Sequence, residues 1–255
     1  MNLTDSFILK CQRGTPVLLD DVCAIYNTTV GEIIDNDYDK FQQYLAIILI
    51  HKPIIKDNPQ VAEVIKNLSD FQYLLMLIET DLPTRELAKE AFYFFLHDDV
   101  SFSLDPAQII VGPLSEKHIL TEAQFYEFQR IVRRMYCVDM DEEEIIIDPN
   151  DSPSVRALKE KMRENREKLK RAKAKKAQKD KTEIKFSDLV GSVALICGTE
   201  ETWNMTYYFF NDQLKRMGWH EQFDINNRAA MAGAKLKKSQ LKHWIRSISS
   251  NDNKS

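Results

Sequence analysis

The sequence contains few of the residues that make tight turns and phosphate-binding loops. Only 7 glycines and 8 prolines occur among 255 residues, a composition that disfavours turn-rich all-β folds. The phosphate-binding motifs GxxxxGKS, GxxxxGKT and GxGxxG do not occur. Chemistry that depends on a glycine-rich loop is therefore disfavoured as well.

Cysteine and histidine patterns typical of metal sites are also missing. The four cysteines, Cys11, Cys23, Cys137 and Cys197, form no CxxC pair and are spread along the chain. In a chain of this size they are typical of buried, reduced thiols. No HExxH motif and no EF-hand loop occurs. We therefore expect no metal and no cofactor, and a protein that is not an enzyme.

No apolar run is long enough to cross a membrane. The longest, at residues 45–50, is far shorter than the roughly 20 residues of a transmembrane helix. The first ten residues hold only a brief apolar run and do not form a signal peptide. These features predict a cytosolic protein without a membrane partner.

Aromatic residues are plentiful, and they predict a packed core. The chain has 13 Phe, 9 Tyr and 3 Trp, which argues against disorder. Apolar spacing and capping residues predict helices over residues 38–51, 58–67, 70–80, 81–97 and 121–137. Strand patterns occur at residues 16–26 and 100–119. The predicted fold is mainly α with a small β element.

Changes in composition divide the chain into four segments. They are a helical N-terminal domain with minor β structure at 1–138, an acidic-then-basic, largely helical linker at 139–183, a C-terminal helical bundle at 184–248 and a disordered tail at 249–255. Within the bundle, helices are predicted over 186–197, 200–217, 224–234 and 239–248. Gly198 and Gly218 are expected to end the first two of these helices.

The linker has the most distinctive composition. Seven acids lie in residues 139–151, and residues 156–181 then hold 13 Lys or Arg against 4 Asp or Glu, a net charge of +9. Lys and Arg attract phosphates, but no aromatic residue interrupts the basic stretch to stack on bases. A solvated helix, a protein-binding surface and a nucleic-acid site all stay open. The predicted basic surface consists of Arg163, Arg166, Lys170, Arg171 and Lys175.

Two local clusters have both a chemical and a simpler interpretation. His97, Asp98 and Asp99 include metal-ligand types, but neighbours at a helix end rarely converge on one ion. Cys137 with His118 offers a nucleophile and a base, although a buried thiol beside an unrelated surface histidine explains them better. The simpler interpretation is favoured for both clusters.

Two four-residue aromatic runs, FYFF at 92–95 and YYFF at 207–210, cannot each face one core from a single helix. We therefore predict partner contacts at Tyr207, Tyr208, Phe209, Phe210 and Trp244. The alternative is that each run is buried on two sides. Basic residues around Trp244 also permit a helix-turn-helix interpretation, against the simpler one that Trp244 anchors the last helix.

Three stretches carry a family resemblance. They are VCAIYNTTVGEIIDNDYDKFQQYL at 22–45, ILTEAQFYEFQRIVRRMYC at 119–137 with the acids and basic helix that follow, and ETWNMTYYFFNDQLKRMGWHEQFDINNRAAMAGAKLKKSQLKHWIRSI at 201–248. Together they resemble the tail assembly chaperones of long-tailed bacteriophages of Gram-positive hosts. The stretches are patterns of apolar and aromatic residues and contain no catalytic signature.

The resemblance implies a non-enzymatic assembly factor. Such a protein binds and solubilises the tape-measure protein and helps to recruit tail-tube subunits in the host cytoplasm, and it is not retained in the mature virion. Self-association stays open. The alternative is a nucleic-acid-binding or regulatory protein that uses the basic linker helix and the C-terminal bundle. The pI near 5.8 disfavours a general nucleic-acid binder.

Overall fold

The computed structural model describes residues 4–53, 59–112, 118–138, 152–159, 161–162, 164–165, 168, 184–237, 243 and 245. Helices dominate these residues, and they are accompanied by two small antiparallel sheets. The predicted class, mainly α with a small β element, is confirmed.

The N-terminal unit comprises the elements up to residue 138. In chain order they are α1 (Asp5–Arg13), β1 (Val17–Leu19), β2 (Cys23–Ile25), α2 (Val30–Asp35), α3 (Tyr38–Ile48), α4 (Pro59–Asn67), α5 (Asp70–Thr80), α6 (Leu82–Leu96), β3 (Val100–Leu104), β4 (Ala107–Val111), β5 (His118–Leu120) and α7 (Glu122–Met135). Each helix and strand region predicted from the first 138 residues is present, with ends shifted by a few residues.

Local capping explains where several of these helices begin. Thr29 and Glu32 form a reciprocal capping box, in which the Glu32 N–H donates to Thr29 Oγ1 at 3.2 Å and the Thr29 N–H donates to Glu32 Oε2 at 2.7 Å. Asp81 caps α6 by accepting from the Thr84 N–H at 2.9 Å. These contacts satisfy N–H groups that a helix start leaves free.

Both sheets follow the predicted strand patterns. β1 and β2 form an antiparallel hairpin in which Leu18 lies opposite Ala24. The second sheet has the order β3-β4-β5, with Phe102 opposite Ile109 and Ile109 opposite Leu120. Ile109 and Leu120 are fully buried, so this sheet covers one side of the helical core.

Aromatic side chains fill the core of the N-terminal unit. Six phenylalanines have no exposed surface: Phe41, Phe71, Phe92, Phe95, Phe125 and Phe128. Phe92 of α6 stacks on Phe128 of α7 with ring centroids 5.5 Å apart. Full burial of each such ring stabilises the fold by about 1.5–3 kcal/mol.

The C-terminal unit consists of α8 (Phe186–Cys197), α9 (Thr199–Asn204) and α10 (Tyr207–Met231). The predicted end of α8 at Gly198 is confirmed, and Gly198 has a positive φ of 97°. The prediction of a helix over 200–217 and another over 224–234 was wrong. The chain breaks at Met205, where the backbone is extended, and α10 then runs through Gly218 without interruption.

Two local features account for this difference. The Thr206 side chain caps α10 by accepting from the Phe209 N–H at 3.1 Å. Gly218 does not have the positive φ of a helix-ending glycine, and a helical glycine costs only about 1 kcal/mol relative to alanine. Apart from His243 and Ile245, the predicted helix over 239–248 lies outside the described residues.

The linker is described only in part. Residues 153–159 are helical and, except for the partly buried Lys159, exposed. The acidic stretch 139–151 and most of the basic stretch lie outside the described residues.

Candidate partner-binding site

Backbone hydrogen bonds attach the C-terminal unit to the N-terminal unit. Thr29 and Thr206 form an antiparallel β-bridge. On either side of it, the Val30 N–H donates to Met205 O and the Tyr207 N–H donates to Thr28 O, both at 2.9 Å. The break between α9 and α10 is therefore held against the start of α2.

Gly31 permits the close approach of α2 to α9. A Cβ atom at this position would lie 3.2 Å from the Trp203 carbonyl oxygen and 3.7 Å from Trp203 Cβ. A side chain here would require the α9 backbone to shift by a few tenths of an ångström. The absence of a side chain at Gly31 thus favours the close contact between the two units.

Tyr207 lies inside this joint rather than on an open surface. Its ring centroid is 5.4 Å from that of Phe41, 5.9 Å from Tyr136 and 6.1 Å from Phe186. Burial raises the pKa of the Tyr207 hydroxyl. Tyr136 precedes the linker in sequence and Phe186 follows it, so described residues from both sides of the linker meet in this aromatic cluster.

The rest of the predicted aromatic contact run is divided between three environments. Tyr208 is buried in the N-terminal core, and Phe210 is buried in a second, smaller core. Their exposure to solvent is 2% and 1%. The expectation that Tyr208 and Phe210 are exposed contacts is therefore corrected: α10 lies between two cores, and successive residues point to different sides of a helix. Phe209 faces an open groove.

The groove beside Phe209 has a volume of about 830 Å³ and is named here the α1–α9 groove. Its lining residues are Gln12, Cys197, Glu200, Glu201, Asn204, Met205 and Phe209. Cys197, Met205 and Phe209 supply apolar surface, while the two glutamates are exposed. No lysine or arginine is among these lining residues, so the groove combines an apolar patch with two amides and two acids.

Exposed apolar residues lie close in sequence to the groove-lining residues of α1 and α8. Leu195 and Ile196 immediately precede Cys197 and are 87% and 66% exposed. Leu9, one helical turn before Gln12 on α1, is 62% exposed. Exposed apolar surface of this kind is typical of interaction sites.

A buried carboxylate holds the α1 side of the groove in place. Asp212 is 3% exposed and accepts from Gln12 Nε2 and from Arg216 Nε, each at 3.0 Å. A buried carboxylate needs such partners to remain charged. The Gln12 side chain therefore links α1 to α10.

A second surface cleft, of about 490 Å³, lies on the N-terminal unit between α2, α3 and α6. Lys40 Nζ lies 2.8 Å from Glu90 Oε2, and the Tyr44 hydroxyl donates to the same oxygen at 3.0 Å. Tyr93, from the predicted FYFF run, is 57% exposed here, while Phe92 and Phe95 are buried. Because these charged groups satisfy one another, the cleft is a weaker candidate than the α1–α9 groove.

The structure supports the simpler interpretation of His97 and of Cys137, the leading members of the two clusters described in the sequence. His97 ends α6 and stacks on Tyr26 with ring centroids 4.0 Å apart. Burial raises the pKa of the Cys137 thiol to about 12, so it is not a reactive thiolate at neutral pH. Within the described residues, no group of three or more His, Cys, Asp or Glu side chains is arranged to hold a metal ion.

The remaining predicted site residues cannot be placed. Trp244, Arg163, Arg166, Lys170, Arg171 and Lys175 all lie outside the described residues. Their proposed roles stay predictions. Sequence reasoning, in turn, missed the α1–α9 groove, because it joins Gln12 to residues near 200. The one available signal was the surplus of apolar residues at the end of α8.

No helix among the described residues has the length and apolar character needed to span a membrane.

The comparisons with known proteins bear on the C-terminal part of the chain. The model of a phage-associated family, described as the YomV second domain, matches residues 175–249. The match points to a phage protein. It covers less than a third of the chain, but it includes every lining residue of the α1–α9 groove except Gln12. No curated protein and no solved structure matches the chain.

Proposed function

We propose that this chain is a non-enzymatic phage tail assembly chaperone that binds and solubilises the tape-measure protein and helps to recruit tail-tube subunits. The observation that carries the proposal is the α1–α9 groove, an open apolar surface within the segment that matches a phage-associated family. The resemblance of three stretches of the sequence to tail assembly chaperones supplies the identity of the partner.

The groove supports binding of a helical protein. Its walls are formed by α1, the α8–α9 corner and the first turn of α10. Grooves between helices bind the apolar face of another helix. A long helical tape-measure protein offers many such faces, and many weak contacts along one rod give strong overall binding while each copy can still dissociate. We accordingly place the protein in the host cytoplasm and outside the mature virion.

A co-expression pull-down tests this proposal. The tagged chain is expressed with its neighbouring genes and washed at low and at high salt. We expect a very long, helix-rich partner to be retained through the high-salt wash and to be soluble only when this chain is present. Failure to retain or solubilise any such protein contradicts the proposal.

The second candidate function is nucleic-acid binding, which the +9 charge of residues 156–181 favours. Binding of this kind falls steeply with salt, because it depends on the release of counterions. If only nucleic acid is recovered in the same pull-down, and high salt removes it, the basic stretch becomes the functional site.

A further inference from the structure

We propose that the α1–α9 groove selects a basic amphipathic helix, with an apolar stripe that fills the groove and Lys or Arg residues beside the stripe. The inference rests on the proposed function for the identity of the partner. The chemistry of the partner follows from the groove itself.

The apolar surface of the groove sets the first requirement. Met205 and Phe209 lie at the break between α9 and α10, and both are only partly buried by the protein itself. Methionine adapts its shape to a bound side chain, and an aromatic ring adds a large contact area. An inserted leucine or phenylalanine would remove this surface from water.

The charge of the groove sets the second requirement. Glu200 and Glu201 are exposed on the first turn of α9, and no cation is among the lining residues. The nearest lining amides, Gln12 and Asn204, are neutral. A partner with acidic residues beside its apolar stripe would be repelled, whereas lysine or arginine would be attracted. Charge complementarity thus favours positive charge beside the partner's apolar stripe.

The secondary structure of the groove sets the third requirement. Its lining residues come from helices or from the break between α9 and α10. At that break, the Met205 carbonyl and the Tyr207 N–H are already bonded to α2 and to Thr28. An extended peptide would find no free strand edge among these lining residues, so a helix is the fitting occupant.

The competing occupant is the basic C-terminal part of a second copy of this chain, residues 235–248. In one molecule, His243 contacts Phe223 with ring centroids 5.0 Å apart. Phe223 is about 21 Å along α10 from Phe209, at about 1.5 Å per residue. Occupation by a second copy would depend on protein concentration, which separates it from binding of a foreign helix.

Two synthetic helical peptides provide the test. One has leucines on one face and lysines beside them, and the other has glutamates in place of the lysines. We expect the full-length chain to bind the lysine peptide at least about tenfold more tightly than the glutamate peptide. Equal affinity for the two peptides, measured by fluorescence anisotropy, overturns the charge requirement.

Variants locate the binding in the groove. Acids at a helix start are stabilising, so a conservative substitution is needed. The test variant E200Q/E201Q keeps the shape of the two side chains and removes only their charge. We expect it to bind the lysine peptide about tenfold more weakly. The matched control E63Q/E79Q removes two exposed acids on α4 and α5, and it should bind like the unaltered chain. Equal loss in both variants overturns the assignment.

Cys197 provides a second readout inside the groove. Cys197 lines the groove, so its alkylation by iodoacetamide, followed at that residue, reports whether the groove is occupied. The lysine peptide should slow this alkylation, as measured by mass spectrometry. Unchanged alkylation with bound peptide overturns the location, and protection that rises with protein concentration alone assigns the groove to a second copy.

The pull-down separates this inference from the proposed function. If the lysine peptide protects Cys197 but no long helical protein is recovered, the groove chemistry stands and the chaperone function fails. If the long partner is recovered equally by E200Q/E201Q, the chaperone function stands and the groove assignment fails.

Discussion

The two units of the protein differ sharply in how they are stabilised. Among the described residues, the N-terminal unit and one side chain of α10 share a core of 30 buried residues. The C-terminal unit has a second core of only four buried residues, and one of them, Val30, belongs to α2. The other three are Val190, Val193 and Phe210. The C-terminal helices therefore depend on the N-terminal unit for much of their stability.

This difference separates a tightly packed scaffold from the unit that carries the proposed binding groove. α8 is rich in apolar residues but buries only Val190 and Val193, and it leaves Leu195 and Ile196 exposed. Regions with few buried contacts open more easily than a packed core. A unit that is thinly packed and held by a narrow joint is well suited to a surface that exchanges partners.

The largest expected effect comes from emptying each core in turn. Phe128→Ala and Phe210→Ala both remove a ring with at most 1% exposure, and each should lower the free energy of unfolding by about 3–5 kcal/mol. Their consequences should differ, because Phe128 belongs to the large core and Phe210 to the small one.

Hydrogen exchange measures that difference. We expect Phe128→Ala to increase exchange in both units and Phe210→Ala to increase it in α8, α9 and α10 while α3 and α7 stay protected. Equal loss of protection in α3 and α7 for both variants would show that the protein unfolds as one cooperative unit, which contradicts the comparison.

The next effect comes from breaking the joint. Gly31→Leu places a side chain against the α9 backbone, with its Cβ 3.2 Å from the Trp203 carbonyl oxygen. This substitution should destabilise the protein by about 1–3 kcal/mol. Limited proteolysis should then cut α8 to α10 first. Gly218→Ala is the control, because nothing beyond the adjacent residues and the backbone of its own helix lies within 4 Å of the added Cβ. It should stabilise α10 by up to about 1 kcal/mol. Resistance to proteolysis equal to that of the unaltered chain would contradict the role of Gly31.

The joint also shows where sequence reasoning succeeds and where it ends. The capping box at Thr29 and the Pro83 near the start of α6 are local signals, and the helices that they predict are present. The break at Met205 is not local, because it depends on pairing with Thr29. No sequence pattern near Thr29 or near Met205 indicates that these two segments pair.

The candidate site illustrates the same limit. The aromatic run from Tyr207 to Phe210 correctly marked a segment with more aromatic faces than one core can hold. Which face is open depends on where the two cores lie, and only Phe209 lines the groove. Gln12 could not be found from sequence, because its place at the groove depends on its bond to Asp212, 200 residues away.

A moderate effect is expected from the polar contact beneath the joint. The Tyr136 hydroxyl donates to Tyr26 O at 3.1 Å and accepts from the Thr28 N–H at 3.3 Å. Tyr136→Phe leaves these buried groups without a partner, which should cost about 1–3 kcal/mol. Tyr93→Phe, at a position that is 57% exposed, should change stability by less than about 0.5 kcal/mol. Urea unfolding of both variants tests whether Tyr136→Phe loses more stability than Tyr93→Phe, and equal unfolding midpoints would contradict this prediction.

The smallest expected effect concerns an exposed ion pair of the N-terminal unit and its dependence on pH. The hydrogen bond from Lys40 holds the pKa of the Glu90 carboxyl below its usual value. A lowered pKa in the folded state means that this stabilisation is present above the unfolded pKa and is lost as pH falls through the folded value. Both side chains are about half exposed, so solvent screens the pair and its contribution is small. Glu90→Gln should therefore lower Tm slightly at pH 7, and the difference from the unaltered chain should shrink as the pH falls below the usual pKa of a glutamate and through its lowered folded value. A difference that stays the same as the pH falls would show that Glu90 acts through packing on Tyr44 and not through its charge.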